Sequence, residues 1–379
     1  TTAKNDVEGF RTRMGFRTYK TENDMFRFEG FGAYGFRDKK VKYGLEARIL
    51  ALQNPRLTIS AAYLNDNEQM GLTQFNNTHL LPVADQGSKA LFNRGSNFFL
   101  SHIQKSMFRY DLEVSKNLNL GMTWSHNIIA SAEPSKFSMD YLNPTTNLTM
   151  SKTTDFATDI YLKYAPGREL TGFGVDEIEG IKLHPTLLLN YRKGFKNFMN
   201  GDFNYNRIQA LYNHPIALGR FGVLDATIGV GKTFEPVPLA LITSVSANQT
   251  YFLLPNTFAL LDYYEFVADT YVESHFEHHF NGFLLNRVPL IKKLNLRSLL
   301  TFRAFYGTIS NKNKDINRSD IVYATPAKPY FEYGFGIENI GYGNIRPFRV
   351  DFIWRNDFQN FNGSINPTFG IRVGIKPKF

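Results

Sequence analysis

Three of the eight histidines of this chain lie within one short segment, His275–His279. On a strand, alternate residues share a face, so His275, Glu277 and His279 are expected on one side and His278 on the other. Imidazole and carboxylate groups together bind zinc, but alternate residues of one strand cannot close a tetrahedral shell alone. We therefore expect either a metal site completed by neighbouring strands or a polar patch of hydrogen-bonded histidines.

Serine lies beside histidine at three places in the chain, which are Ser101-His102, Ser125-His126 and Ser274-His275. Neighbouring residues of a strand face opposite sides, so none of these pairs makes a nucleophile and its base. The sequence has no Gly-x-Ser-x-Gly segment and no glycine loop typical of phosphate binding. It also contains no cysteine, which excludes thiolate metal sites. We predict a protein that is not an enzyme and has no cofactor.

The elements that carry these residues have the period of β-strands, and the clearest of them is the last, at 369–379. Its apolar face is formed by Phe369, Ile371, Val373, Ile375 and Phe379. The opposite face carries glycines and the cations Arg372, Lys376 and Lys378. An apolar face, a cationic face and a terminal aromatic residue are typical of the strand that closes a bacterial outer-membrane barrel.

Segments of this period recur along the whole chain, and about fifteen of them can be counted. Aromatic residues make up 15% of the sequence and the mean hydropathy is −0.29. No window approaches the roughly 20 apolar residues of a spanning helix, so a membrane protein of this kind has to be a closed barrel. We predict an all-β, transmembrane antiparallel β-barrel, a single domain over 1–379. It should have 16 strands, with one of them at 242–254, although 14 also fits the length.

The net charge of +9 does not indicate nucleic-acid binding, because arginine and lysine occupy alternate positions of strands. We interpret them instead as the lining of the barrel lumen. The cations placed there are Arg11, Arg13, Arg17, Arg48, Arg372 and Lys376. Another segment, 281–293, breaks the strand period and joins apolar residues to a basic end. It is either an interfacial segment at the membrane surface or an ordinary connection under the barrel.

The segment 278–282, His-His-Phe-Asn-Gly, is followed at 286–290 by Asn-Arg-Val-Pro-Leu. With these two motifs the chain resembles the barrel portion of a Bacteroidetes outer-membrane family of undefined function. Further motifs that fit the same resemblance lie at 8–11, 34–40, 218–222 and 263–269. In that family a carboxypeptidase-regulatory-like β-sandwich usually precedes the barrel, so the resemblance implies such a domain ahead of this one.

The end of the chain, at 336–338, 347–351 and 369–371, is more distantly similar to the sixteen-stranded assembly-factor barrels of the surface-antigen superfamily. Those barrels insert or export outer-membrane proteins through a seam between their first and last strands. In this chain the resemblance implies a seam between 9–19 and 369–379. Their lumenal loop carries Val-Arg-Gly-Phe. The equivalent loop here, around 234–265, contains no arginine.

The favoured function is that of a component or accessory of an outer-membrane protein assembly or export complex. We expect the protein to be an integral protein of the bacterial outer membrane. Its expected partners are membrane lipid or lipopolysaccharide and other outer-membrane or periplasmic proteins, but not nucleic acid. One alternative is a passive channel that favours anions, because fixed cations concentrate anions in a lumen. Another is a lumenal metal or hydrolase site at His275, Glu277 and His279.

Overall fold

The computed structural model describes residues 2–21, 23–70, 98–172, 174–176, 178–180, 183–250, 253–343, 345–356 and 368–375. Most of these residues belong to one antiparallel sheet of sixteen strands, in which each strand pairs with the next along the chain. The strands are β1 Thr2–Asn5, β2 Gly9–Arg17, β3 Phe26–Gly35, β4 Val41–Gln53, β5 Arg56–Glu68, β6 Ser101–Ser115, β7 Leu118–Ser131, β8 Lys152–Tyr164, β9 Thr186–Gly194, β10 Tyr205–Ala217, β11 Val223–Thr233, β12 Thr270–His279, β13 Arg297–Thr308, β14 Tyr330–Tyr342, β15 Ile345–Arg355 and β16 Phe369–Ile375.

In the part of the chain that the structure describes, helical structure is confined to connections between strands. The two α-helices found there are α1, Pro289–Lys292, and α2, Asn311–Ile316. Single 3₁₀ turns lie at Phe198–Asn200, Gly219–Phe221 and Leu285–Arg287. Within the described ranges, no helix has the length and apolar character that crossing a membrane requires.

The distribution of apolar and charged side chains over the two faces of the sheet is opposite to that of a soluble protein. In β4, Val41 and Leu45 are exposed, whereas Lys42 and Glu46 are fully buried. Since side chains alternate across a strand, apolar rows lie on the outer surface and charged rows in the interior. A surface of this kind is solvated by hydrocarbon rather than by water. The sequence prediction of an all-β barrel sheet with 16 strands is confirmed.

The sixteenth strand is not where the sequence pattern placed it. The prediction of a strand over 242–254 is wrong, because among the described residues of this segment only Thr243–Ser244 form a strand, which pairs with Val267–Ala268 outside the large sheet. The additional strand of the sheet is β1, which pairs with β2. The expected seam between 9–19 and the last strand is therefore also wrong, since β2 has β1 on one side and β3 on the other.

The connections differ in length at the two ends of the sheet. Those that follow odd-numbered strands share one end and include 69–100, 132–151, 234–269 and 309–329. Several that follow even-numbered strands are tight turns, such as 54–55 and 116–117. We call these the long-loop end and the short-turn end. Outer-membrane barrels have their short turns in the periplasm and their longer loops outside, and this sheet shows the same division of connection lengths.

The connection 234–269 folds into the interior, and we call it the plug. Its residues from Val237 to Thr250 are all buried, although they belong to no strand of the large sheet. One apolar cluster joins plug side chains such as Phe258 to inward side chains of strands from β3 to β14, for example Phe31 and Tyr330. A single cluster can connect such distant strands only if the sheet curls around the plug. The interior is therefore packed and not an open cylinder.

Phe258 tests this packing, because its ring is fully buried and lies 4.9 Å from the ring of His275 and 5.7 Å from that of Tyr330. The substitution Phe258→Ala should leave a cavity and lower the free energy of unfolding by about 3–5 kcal/mol. Phe335→Ala is the matched control, since Phe335 lies on the outer surface and detergent or lipid fills the space it leaves. Urea unfolding in detergent micelles measures both losses. Equal losses would contradict a packed plug.

Candidate functional site: the plug and its latch

The histidines near the end of β12 make separate contacts and do not form one cluster. His279 lies between two carboxylates, with Nε2 2.9 Å from Glu277 and Nδ1 3.0 Å from Glu338. Both ring nitrogens therefore donate hydrogen bonds, which leaves neither as a metal ligand. His275 lies against the ring of Phe258, away from this pair. Among the described residues, no group of three or more His, Asp or Glu side chains is arranged to hold a metal ion.

The arginines predicted to line the lumen have partners in the interior. Arg11 contacts Glu8 at 3.0 Å and Asp66 at 2.7 Å, and its side chain is almost fully buried. Arg48 contacts Glu46 at 2.6 Å. The guanidinium of Arg13 lies 3.7 Å from the centre of a neighbouring aromatic ring, that of Phe31. These cations are largely compensated where they lie.

Two further members of the predicted lumenal set are Arg17 and Lys376, and the last member, Arg372, is described below with the plug. Arg17 contacts Asp176 and lies 3.8 Å from Glu29. Lys376 lies outside the described residues, as does Phe379 of the predicted closing strand. Of the other residues of that strand, Phe369, Ile371 and Val373 are exposed on the outer surface and Ile375 is partly exposed.

Three charged side chains of the last strands fasten the plug, and we call them the latch: Glu332 of β14, Arg355 of β15 and Arg372 of β16. Glu332 accepts hydrogen bonds from the backbone N–H groups of Ala259 and Leu260, both at 2.8 Å. All three latch side chains are buried. Hydrogen bonds to buried charged groups contribute about 1.5–3 kcal/mol each, so the latch holds the plug firmly.

The two arginines of the latch bind backbone carbonyl oxygens of the plug. Arg372 donates to Asn248 at 2.6 Å, to Thr250 at 2.8 Å and to Ala259 at 2.8 Å. Arg355 donates to the carbonyl oxygen of Leu260 at 3.0 Å and to the carboxylate of Glu265 at 2.8 Å. The plug connection has no arginine, so the last strands supply the cations that bind it.

Two glycines of β16 shape the surface against which the plug lies. A Cβ atom at Gly370 would lie 2.4 Å from Leu260, and one at Gly374 would lie 2.4 Å from Leu253. The backbone of Leu253 also approaches β16, with its N–H 3.4 Å from the carbonyl oxygen of Ile375. These glycines, on the inward face that carries Arg372, are therefore contact points for leucines of the plug. Their spacing of four residues in the sequence was the available signal for this contact.

The interior of the plug region is a low-dielectric environment. Tyr263 lies within it, and burial raises the pKa of the Tyr263 hydroxyl to about 12. The phenol therefore stays neutral at physiological pH, as expected for a site that excludes water. The arrangement can close the barrel interior and can couple movement of the plug to the last three strands. It contains no assembled nucleophile, general base and activating group among the described residues.

A second closure lies at the short-turn end, where residues 174–176 reach into the mouth formed by β2 to β5. Asp176 accepts hydrogen bonds from Arg17, from Arg27 at 2.7 Å and from Arg48 at 3.1 Å. Burial opposes ionisation, but the three guanidinium groups hold the pKa of the Asp176 carboxyl below its ordinary value. One loop carboxylate thus compensates arginines of three strands.

Comparison with solved structures gives the same fold. BamA from Haemophilus ducreyi, in a structure lacking POTRA domains 1–3, is similar with a TM-score of 0.52 and 10% identity, over 98% of this chain and 68% of that one. CdiB from Acinetobacter baumannii gives 0.45 and 9%, over 99% and 58%. OprD from Pseudomonas aeruginosa gives 0.40 and 10%, over 96% and 88%. At 10% identity the similarity to BamA shows the barrel fold alone.

The sequence comparisons are narrower. No curated protein matches the chain. A family model matches residues 2–316, and its description is the C-terminal domain of a family of unknown function, DUF5686.

The latch predicts how firmly the plug is held. In Glu332→Gln, an amide NH₂ replaces one of the oxygens that accept from Ala259 and Leu260, so one buried N–H group loses its acceptor. We expect the reaction of a cysteine at Ala259→Cys with a membrane-impermeant maleimide to become about tenfold faster, which corresponds to about 1.4 kcal/mol. The natural chain has no cysteine to add background. Glu113→Gln, which removes a carboxylate from an ion pair with Arg168, should leave the rate unchanged.

Asp176 predicts a dependence of stability on pH. Because its folded-state pKa is lowered, its contribution is present above the ordinary pKa of about 4 and is lost as pH falls through the folded value. Asp176→Asn should therefore lower the free energy of unfolding at pH 7 by about 1–3 kcal/mol, with a smaller difference at pH 3. Unfolding curves at both pH values measure this. A difference that grows on acidification would contradict the assignment. Asp315→Asn, at an exposed carboxylate, is the control.

Proposed function

The chain belongs to the family of unknown function DUF5686, as its C-terminal domain, and from this premise we propose that it is an integral barrel of the bacterial outer membrane. In this proposal the barrel serves in an outer-membrane protein assembly or export complex and does not act as an enzyme. Its partners in this proposal are membrane lipid and other outer-membrane or periplasmic proteins. The observation that carries the proposal is the latch, because it joins the plug to the strands at the end of the sheet.

The terminal strands are the part of the sheet most open to rearrangement. Among the described residues, β1 pairs within the large sheet with β2 alone and β16 with β15 alone, whereas β6, in the middle of the sheet, pairs with both β5 and β7. Backbone hydrogen bonds hold a strand in its sheet, so strands that are paired on one side are the easiest to release. The plug contacts β16 through Arg372 and through Gly370 and Gly374. Displacing the plug would therefore weaken a terminal strand that is paired on one side in the described sheet.

A passive anion channel agrees less well with the interior. The apolar cluster around the plug occupies the space through which ions would pass. The arginines that would select anions, such as Arg11 and Arg48, face carboxylates. An enzymatic site has even less support, since Glu277 and His279 are engaged with each other and with Glu338 and Arg349.

The proposal predicts the effect of tying the plug to β16. Leu253→Cys with Gly374→Cys places two thiols at the plug–strand contact, and oxidation joins them. In cells depleted of the natural protein, the amounts of other outer-membrane proteins should fall. The reduced pair should restore them and the oxidised pair should not. Ile59→Cys with Tyr110→Cys, on paired neighbours of β5 and β6, is the matched lock and should restore them in both states.

Three results would overturn this assignment. Depletion that leaves the outer-membrane proteome unchanged contradicts a role in assembly or export. Equal rescue by the oxidised plug lock and the oxidised control lock contradicts coupling through β16. Stepwise, anion-selective conductance of the unmodified protein in planar bilayers identifies a channel instead, since the packed interior predicts no such steps without deletion of the plug.

A further inference from the structure

An apolar groove with a volume of about 500 Å³ lies on the outer surface of β11 to β15, and nothing in the assembly role requires it. Its lining is aromatic and aliphatic, with Leu224, Phe276, Leu300, Phe302, Tyr333 and Trp354 among the contributing residues. The outward rows of these strands are solvated by lipid chains. A groove of this size in such a surface accommodates an acyl chain more closely than the flat parts of the barrel do.

Aromatic contacts connect the short-turn end of this groove to exposed cations. His278, which lines the groove, donates through Nε2 to the carbonyl oxygen of Phe221 at 3.0 Å. The ring of Phe221 packs on that of Phe283, with centroids 5.0 Å apart. The guanidinium of Arg220 lies 5.0 Å from the Phe221 ring and that of Arg287 lies 4.1 Å from the Phe283 ring. The groove therefore ends at two arginines held on aromatic faces.

The charge at this place is of one sign. Arg220, Arg287, Lys292 and Lys293 are all exposed, and no carboxylate of the described residues pairs with any of them. The sequence contains no aspartate or glutamate between Glu277 and Asp315. Interior arginines such as Arg11, Arg48 and Arg372, by contrast, face carboxylates or carbonyl oxygens. These four cations are thus available to an anion that approaches from outside.

Three of these cations, Arg287, Lys292 and Lys293, lie in the connection between β12 and β13, residues 280–296. This connection also presents apolar side chains. Leu284, Val288, Leu290 and Leu294 are exposed, and Leu290 has 80% of its surface accessible. Apolar residues beside a cluster of lysine and arginine are typical of segments that lie at a membrane interface. The short-turn end faces the periplasm by the lengths of its connections, so this segment lies at the periplasmic leaflet.

We propose that the groove and the four cations form a binding site for an anionic phospholipid, with one acyl chain along the aromatic lining and the headgroup phosphate at Arg220, Arg287, Lys292 and Lys293. The site depends on insertion of the barrel in a membrane and not on the assembly role proposed above. Charge complementarity selects the headgroup, since each cation near the membrane surface favours an anionic lipid several-fold. The groove selects the position, because it begins where the cations lie.

The two tryptophans of the chain allow a direct test. Trp354 lies in the groove, whereas Trp124 packs on Phe108 on the outer surface of β6 and β7. Single-tryptophan proteins, Trp124→Phe and Trp354→Phe, are placed in bilayers of phosphatidylcholine that contain a small fraction of brominated lipid. Brominated phosphatidylglycerol should quench Trp354 at a mole fraction about fivefold lower than brominated phosphatidylcholine does. Trp124 should be quenched equally by both lipids.

Substitutions then separate headgroup from chain. The combined variant Arg220→Gln, Arg287→Gln, Lys292→Gln and Lys293→Gln should lose the preference of Trp354 for the anionic lipid. The matched variant Lys39→Gln, Lys40→Gln, Lys312→Gln and Lys314→Gln removes equal charge at the long-loop end and should keep it. The groove itself is tested in a protein in which both native tryptophans are replaced by phenylalanine. In this protein Leu300→Trp fills the groove and should reduce the amount of phosphatidylglycerol that remains bound after detergent extraction. Leu189→Trp, on the outer surface of β9, is the control and should not reduce it.

Two outcomes overturn the site. Equal quenching of Trp354 by the two brominated lipids shows that the groove is ordinary lipid-facing surface. Quenching of Trp124 without quenching of Trp354 shows that something other than lipid covers the groove, such as a protein partner. Absence of quenching at both tryptophans shows a barrel that is not in the bilayer, which contradicts the premise shared with the proposed function rather than the latch.

Discussion

Hydrocarbon offers no hydrogen-bond partner to a backbone N–H or C=O group, and the main features of the structure follow from this constraint. Each strand of the large sheet pairs with its neighbour along the chain, and one row of side chains in every strand is left to the lipid. The other row meets a confined interior, where a charge without a partner is costly. Glu332 and Arg372 meet this second condition by binding backbone groups of the plug. Sheet, plug and latch thus depend on the same physical requirement.

The sequence predicted the sheet well because alternation is a local signal. The face assignments in β4 and β16 could be read from residues two apart, and the exposed Ile371 and Val373 follow them. The segment 242–254 misled because it was assigned to the wall to complete an even number of strands. Its composition does not say whether a segment lies in the wall or fills the interior. β1 was missed because a strand of four residues is too short to show a period.

The candidate site was much less predictable, since its contacts join residues far apart in the chain. Arg48 could be assigned to the interior by parity, but its partner Asp176 lies 128 residues further along. The glycines of β16 were visible, yet only the structure shows that Leu253 and Leu260 lie against them. From the sequence, His279 was assigned to either a metal site or a polar patch of hydrogen-bonded histidines. Its two carboxylate partners, one of them on β14, decide that it makes an ion-pair network.

In the order of the chain, the plug precedes the latch residues that bind it. It lies between β11 and β12, whereas Glu332, Arg355 and Arg372 belong to β14, β15 and β16. During synthesis from the amino terminus, thirteen strands of the large sheet and the plug are present before the first latch residue follows. The plug can therefore be enclosed only as the last strands arrive, and its binding energy becomes available at the final step of barrel biogenesis. That timing makes completion of the wall and occupation of the interior a single cooperative event.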